Sequence, residues 1–337
     1  MPRQPMHLLV NLPPGFFSAS QLVPTFARLD TLAETVTKTS CNNAVEILPY
    51  LREADAVLMW SWPKLTPALL DQCPRLGFSA NLDISQQGAR VLLERGIPVS
   101  VSRRGFSPAV AEMALTLLLA TLRRTSGYHA ALWAGTETWV SRFPEEIPAE
   151  ERQLTGRRVG IIGFGAIGQR LAELLVPFHC EIAVHDPFLP DGVAERFGVR
   201  NGSVDDLVRH SEALVVCAAA NAGTRHVLEA GHLEALLPGT VLVNVSRAAL
   251  VDSDALLARL QRGDLFAALD VFDQEPLPAD SPLRVLPNVY LTPHRAGGIW
   301  ESVVRIVDYL ADDLQAFAQG KELRHALAES QISSLDA

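Results

Sequence analysis

Short apolar runs alternate with helical stretches through the first hundred residues. The segments "HLLVNL" (7–12), "DAVLMW" (55–60), "RLGFSA" (75–80) and "IPVSVS" (97–102) predict strands, with "PALLDQC" (67–73) and "SQQGARVLLERG" (85–96) as helices between them. Such alternation predicts a parallel sheet covered by helices. An apolar helix follows at 109–124. Beyond it lies a connection, 125–155, that turns irregular and polar from Trp133 onward and suits a domain connection or a subunit clasp.

A second series begins at Arg157. "RRVGIIG", "EIAVHD", "ALVVCA", "VLVNVS", "FAALDV" and "VYLTP" read as strands, most of them separated by helices. Val289 to Thr292 reads as a short buried strand that Pro293 ends. An amphipathic helix over about 298–319 stops at Gly320, a good C-cap residue. The polar tail "AESQISSLDA" is expected to be loosely ordered. The pattern predicts an α/β fold of two doubly wound parallel-sheet domains, and the length of 337 residues agrees with two domains.

Composition narrows the function. The net charge of −9, with no basic stripe to offset it, argues against a nucleic-acid partner. Cys41, Cys73, Cys180 and Cys217 are scattered, with no C-x-x-C and no histidine at ligand spacing. They read as buried thiols of a reducing compartment, and no metal is expected. The N-terminal apolar run is too short for a signal peptide. The stretch Ala109–Leu122 carries Glu112 and is too short for a membrane span, so a cytoplasmic location with no membrane partner is expected.

The chemistry gathers at strand ends. Gly163-x-Gly165-x-x-Gly168 follows an apolar strand and opens a helix, which is the context a dinucleotide site requires. Gly163 permits the tight turn, Gly165 lets a pyrophosphate approach, and Gly168 lets helix and strand pack. The helix N-terminus offers N–H groups and a positive dipole end to phosphate. Asp186 ends the next strand, eighteen positions after Gly168. A carboxylate there accepts from the ribose hydroxyls and repels a 2′-phosphate, favouring NAD(H) over NADP(H). Three further strand ends supply Ser246-Arg247, then Asp270 with Glu275, then His294. Ligands of open parallel sheets sit at the carboxyl ends of strands, so these residues can converge.

Together, "GIPVSVSRRGFSPAVAEMALTLLLATLRR", the Gly-rich loop, "NVSRAALVD", "ALDVFDQEPLP" and "LTPHRAGG" resemble the D-isomer-specific 2-hydroxyacid dehydrogenases, the group that includes phosphoglycerate dehydrogenase and glyoxylate/hydroxypyruvate reductase. The resemblance covers most of the chain. It implies a Rossmann NAD domain at 106–296 and a flavodoxin-like substrate domain at 1–105, completed by 297–337, with a cleft between them. It also implies a homodimer formed through helix 109–124 and the 125–155 arm.

The same resemblance implies a catalytic set of Arg247, Glu275 and His294. It places Ala166, Ile167, Asp186, Val245, Ser246, Asp270, Arg295, Ala296 and Gly297 against NAD. The chemistry is coherent for a small anionic 2-keto or 2-hydroxy acid. Arg247 pairs with the carboxylate and polarises the carbonyl. His294 exchanges a proton with the carbonyl oxygen, and Glu275 favours the imidazolium and fixes the ring. Asp270 is expected to hold the nicotinamide carboxamide.

Departures from the family cluster where substrate is expected. Ala248 replaces the usual Gly after the arginine. "CAAANAGTR" (217–225) lacks the usual Pro and His, with Ala219 at the Pro position. In "GFSANLDI", Phe78 stands at a position usually held by Gly and is expected to narrow or re-aim a substrate loop, in which N–H groups near Ser79 and Ala80 still bind a carboxylate. Trp60 and Trp62 are either a core pair or a substrate wall. Arg103 and Arg104 are either a solvated pair or a site for a second anionic group. The rival function is an NAD(H)-sensing dimeric scaffold of the corepressor type. Glu275 in place of Gln argues against a formate-type enzyme.

Overall fold

The computed structural model describes residues 6–137 and 147–335. Part of the 125–155 arm therefore lies outside the described residues. The chain divides into two compact units, one of 1–106 with 299–337 and the other of 107–298.

The first unit holds a five-stranded parallel sheet: β1 (His7–Asn11), β2 (Thr35–Thr39), β3 (Ala56–Met59), β4 (Phe78–Asn81) and β5 (Val99–Val101), in spatial order β2-β1-β3-β4-β5. Sequence reading finds four of these. It passes over β2, whose "TVTKT" lies half exposed at the sheet edge and shows no apolar run. The helix Ala44–Leu51 is also passed over, because Pro49 interrupts its pattern; Asn43 caps it by accepting from the N–H groups of Val45 and Glu46.

Both faces of this sheet are buried, which is why β3 is continuously apolar and β1 is so from Leu8 to Val10, while β4 also buries the polar Ser79 and Asn81. One face packs Leu9, Val57 and Val99 with Leu70 and Leu92. The other packs Leu8, Val10, Leu58 and Phe78 under Ile306, Leu310 and Leu314 of the helix Trp300–Gln319. That helix ends, as its sequence predicts, on left-handed Gly320. Phe78 is fully buried and stacks on Phe317 with ring centroids 5.0 Å apart.

The C-terminal segment corrects the sequence expectation. Residues 329–334 form a 3-10 turn, and Ile332 and Leu335 are buried in the first core. Val101 N–H donates to His325 O and Leu327 N–H to Val99 O, so the segment pairs along β5. Asp313, fully buried, accepts from Ser100 Oγ and from the N–H groups of Arg324 and His325. The tail's composition is polar, but its few apolar residues are the ones that dock.

The second unit holds seven parallel strands: β6 (Arg158–Ile162), β7 (Glu181–His185), β8 (Arg200–Asn201), β9 (Ala213–Val216), β10 (Val241–Asn244), β11 (Phe266–Leu269) and β12 (Val289–Leu291). Their order is β12-β11-β10-β9-β6-β7-β8, so the chain reverses direction around β6. This is the doubly wound arrangement whose switch point receives ligands. β12 is half-buried rather than buried, because it forms one edge of the sheet. The helix Ser107–Leu122 buries Ala111, Ala114, Leu117 and Leu118. Arg103–Leu122 is long and apolar enough to cross a membrane by length and composition, yet 56% of its most apolar window is buried inside the protein. Residues 125–134, expected as the start of a connecting arm, form a helix with no buried residue, and Trp133 on it is exposed.

Candidate active site

The glycine loop leaves β6 at its carboxyl end. Gly163 has φ +87°, and a Cβ there would stand 2.4 Å from the backbone of Ala218. A side chain is thus excluded by both conformation and space. A Cβ on Gly168 would lie 2.4 Å from Gly163 O, so helix and loop meet there. Gly165 differs, since a Cβ on it would meet nothing within 4 Å. It is the N-cap of the helix Ala166–Leu175, which has no side-chain cap. Ala166 and Ile167 are half-buried in its first turn. The N–H groups of this turn and the open space over Gly165 fit a pyrophosphate.

Asp186 follows β7. Its Oδ2 accepts from Phe164 N–H at 2.8 Å and its Oδ1 from Phe188 N–H at 3.0 Å. The carboxylate is thereby fixed beside the glycine loop and stays half exposed.

The adjacent strands β10, β11 and β12 deliver the remaining groups. Asn244, buried at the end of β10, accepts from Ser246 N–H and donates to Arg247 O. Ser246 Oγ donates to Ala218 O at 2.5 Å. This ties down the turn that presents the exposed Arg247, whose Nη1 donates to Ser246 O at 2.9 Å. Val245 is buried within the same turn. Sequence reading missed Asn244, although a polar residue inside "VLVNVS" was the available signal.

His294 and Glu275 meet. His294 Nδ1 lies 2.7 Å from Glu275 Oε2, and Glu275 Oε1 accepts from Phe272 N–H at 3.0 Å. Partial burial pushes the Glu275 carboxyl up, but the hydrogen bonds from His294 and Phe272 and the charges of His294 and Arg247 together hold it below the usual carboxylate range. Glu275 and His294 are therefore in contact, and the charge of Arg247 reaches the Glu275 carboxylate. His294 has φ +51°, a left-handed conformation that is costly for a residue with a Cβ.

Asp270, expected against the nicotinamide, lies at the carboxyl end of β11. It is fully buried, and its oxygens accept from Thr292 Oγ1, Arg295 N–H and Ala296 N–H. Arg295 turns its guanidinium onto Gly298 O, Ala296 is buried, and Gly297 is half-buried.

In the first unit, the expected substrate loop is strand β4. Ser79 and Ala80 are fully buried, and Ser79 N–H donates to Pro98 O at 3.0 Å. That N–H is not open to a carboxylate, and Phe78 is a core residue. Trp62 resolves as structural: its Nε1 donates to Asn81 Oδ1 at 2.8 Å and to Ser79 Oγ at 3.2 Å. Trp60 is exposed and meets Phe16 edge to face at 4.9 Å. Arg103 pairs with Asp83 at 3.3 Å and donates to Leu335 O at 2.6 Å, so it anchors the tail; Arg104 is exposed.

The second unit is thus a doubly wound α/β domain with a glycine loop after β6 and a histidine–carboxylate pair toward one sheet edge. The family model for the D-isomer specific 2-hydroxyacid dehydrogenase NAD-binding domain matches residues 115–296. A glyoxylate reductase of Aeropyrum pernix is 34% identical over 282 residues, covering 82% of this chain and 83% of that protein. A glyoxylate/hydroxypyruvate reductase B of Yersinia enterocolitica is 30% identical, covering 83% and 86%. The solved NADPH-dependent glyoxylate/hydroxypyruvate reductase of Sinorhizobium meliloti, in complex with NADP and malonate, superposes with TM-score 0.71 at 26% identity, covering 98% of each chain. The chain belongs to the D-isomer-specific 2-hydroxyacid dehydrogenase family. It is an oxidoreductase of that class, and the relatives give no support to the rival NAD(H)-sensing scaffold.

Proposed function

We propose that the protein reduces a small 2-keto acid to its D-2-hydroxy acid with NADH. The observation that carries this reading is the 2.7 Å contact of His294 with Glu275, with Arg247 close enough to act electrostatically on the same carboxylate. When bound, the nicotinamide supplies the hydride. Arg247 pairs with the substrate carboxylate and polarises the neighbouring carbonyl, a task for a planar fixed charge. His294 offers the proton from Nε2, because Nδ1 is committed to Glu275. Glu275 balances the charge of the imidazolium and holds the ring in plane with the incoming oxygen.

Gly163, Gly165, Ala166, Ile167 and Gly168 hold the pyrophosphate, with Ser246 and Gly297 further along the same edge. Asp186 favours NADH because its fixed carboxylate repels a 2′-phosphate. A cytoplasmic homodimer completes the reading: all four cysteines are free, which suits a reducing compartment, and helix 125–134 exposes Leu132 and Trp133.

The test is oxidation of NADH and NADPH, in parallel, against glyoxylate, hydroxypyruvate, pyruvate, and aromatic and phosphorylated 2-keto acids. Turnover with at least one acid, lost by about 10²-fold or more in His294→Ala, is expected. Preference for NADH should fall in Asp186→Ala. If His294→Ala retains full turnover, the assignment of the proton donor is wrong; if NADPH is the better donor in the native protein, Asp186 does not set selectivity.

A further inference from the structure

Arg247 follows β10, and one buried side chain fixes the backbone on both sides of its Cα. Asn244, the last residue of β10, is only 2% exposed. Its Oδ1 accepts from Ser246 N–H at 3.0 Å, and its Nδ2 donates to Arg247 O at 2.9 Å. The amide thus holds the peptide that precedes Ser246 and the peptide that follows Arg247. Between these two lies the Ser246–Arg247 peptide, whose carbonyl accepts from Arg247 Nη1 at 2.9 Å. The guanidinium is laid against the one peptide that Asn244 brackets. Ser246 Oγ adds a tether to Ala218 O at 2.5 Å, and Leu250 N–H a longer bond to Arg247 O at 3.3 Å.

The bracket is rooted in the middle of the sheet. β10 pairs with β9 on one side and β11 on the other, and Asn244 O accepts from Asp270 N–H at 3.0 Å. Val241, Leu242 and Val243 before it are apolar and buried, so an amide at the next position costs free energy unless it is hydrogen-bonded. Both side-chain bonds of Asn244 go to the turn that carries Arg247, and none to the sheet, among the described residues. Burial excludes water from competing for them.

We infer that Asn244 is a positioning residue for Arg247, its amide setting where the guanidinium meets the substrate carboxylate. The inference rests on the role of Arg247 proposed above. An amide suits the task because it accepts at one end and donates at the other, which a carboxylate cannot do. The effect is geometric. A guanidinium fork recognises a carboxylate by direction as well as charge, and misplacement by about 1 Å can lower a rate by about a hundredfold.

The experiment compares Asn244→Asp, Asn244→Ser and Arg247→Ala with the native protein. It measures kcat and KM for the 2-keto acid reduced fastest, the NADH dissociation constant by nicotinamide fluorescence, and near-UV circular dichroism as a check of the fold. Asn244→Asp keeps the size and the acceptor for Ser246 N–H but sets an oxygen against Arg247 O. At pH 8, KM is expected to rise and kcat/KM to fall by roughly tenfold to a hundredfold, with the NADH dissociation constant changed less than about threefold. Burial, and the like charge of Asp270 on the next strand, raise the pKa of a carboxyl placed there. Once protonated, that carboxyl donates to Arg247 O again. The ratio of variant to native kcat/KM should therefore climb as pH falls from about 8 to about 5.

Asn244→Ser serves even if Asn244→Asp fails to fold. A serine hydroxyl can accept from the N–H two residues on but is too short to reach Arg247 O. It should show a similar loss of kcat/KM at pH 8 and no recovery at low pH. Native kcat/KM at pH 8 in either folded variant would overturn the positioning role. So would an NADH dissociation constant that worsens in step with KM, since the turn would then serve the cofactor. A ratio for Asn244→Asp that stays flat with pH would overturn it too, because the donor to Arg247 would then not matter. Native kcat/KM in Arg247→Ala would instead sink the role of Arg247 and the proposed function with it, which keeps the two failures apart.

Discussion

Glu275 Oε2 and His294 Nδ1 stand 2.7 Å apart although 19 residues separate them in sequence. The pair exists because β11 and β12 are parallel neighbours, so the segments leaving their carboxyl ends run side by side. Its consequence is a division within one ring, with Nδ1 facing the carboxylate and Nε2 left for the proton transfer proposed above.

Replacing Glu275 by Gln keeps a hydrogen bond and removes the charge. Reduction is expected to slow by roughly tenfold to a hundredfold, a part of the 10²–10⁴ that a positioned acid supplies. The native pair should show an acid limit that the Gln variant lacks. Because the Glu275 carboxyl titrates below its usual range, the pair persists above that lowered value and is lost only as pH falls through it. Both side chains are over a third exposed, so solvent screening keeps its contribution to stability below about 1 kcal/mol. A pH profile of kcat for the native and Glu275→Gln proteins checks this; parallel profiles would remove Glu275 from the proton step.

The glycines of the phosphate loop should separate folding from binding. Gly163→Ala forces a Cβ into the backbone of Ala218 at a positive φ, and a loss of roughly 2–5 kcal/mol is expected from strain and overpacking combined. Gly165→Ala meets no protein atom and has an extended backbone that alanine tolerates. It should keep the native melting temperature and lose NADH affinity at least tenfold, because the new methyl occupies the space for the pyrophosphate. Thermal melts with and without NADH read both effects. A Gly165→Ala protein that binds NADH normally would place the pyrophosphate elsewhere.

Cys217 lies against the glycine loop, and burial pushes its thiol up to about 12. Below the unfolded value, near 9, the thiol is neutral in both states and the fold keeps its full stability. As pH rises from there toward 12 only the unfolded chain ionises, and stability is lost by about 1.4 kcal/mol per pH unit. Urea unfolding at pH 8, 9 and 10 should therefore show falling stability, with a shallower fall in Cys217→Ala. Equal slopes in the two proteins would mean that other groups govern alkaline unfolding.

What was legible in the sequence follows from how much each feature depends on neighbours along the chain. The glycine loop, the strand-end acid and the three strand ends could be read because their spacing is local and their residue types are unusual in apolar strands. The edge strand Thr35–Thr39 could not, since an edge needs no apolar alternation once its neighbour β1 supplies the hydrogen bonds. The three donors that hold the Asp270 carboxylate could not be read, because Thr292, Arg295 and Ala296 reach it only through the pairing of β11 with β12. The docked tail was illegible for a similar reason: Ile332 and Leu335 have no periodic partners, and their burial depends on a core built from distant segments.

Phe78 tests the clearest disagreement between the two readings. A phenylalanine narrowing a substrate loop, if truncated, would change KM or widen substrate choice while leaving the melting temperature intact. A phenylalanine packed at zero exposure on Phe317, beneath Leu310 and Leu314, should behave as core. Phe78→Ala is therefore expected to cost about 3–5 kcal/mol, from lost burial and the cavity left behind. Phe317→Ala should cost less, because Phe317 is only partly buried, and the double substitution should cost less than the sum of the two, since both remove the same ring contact. Substrate preference of whatever fraction remains folded should be unchanged across the 2-keto acid panel. A stable Phe78→Ala protein with altered preference would return this residue to the substrate site and require β4 to rearrange when substrate binds.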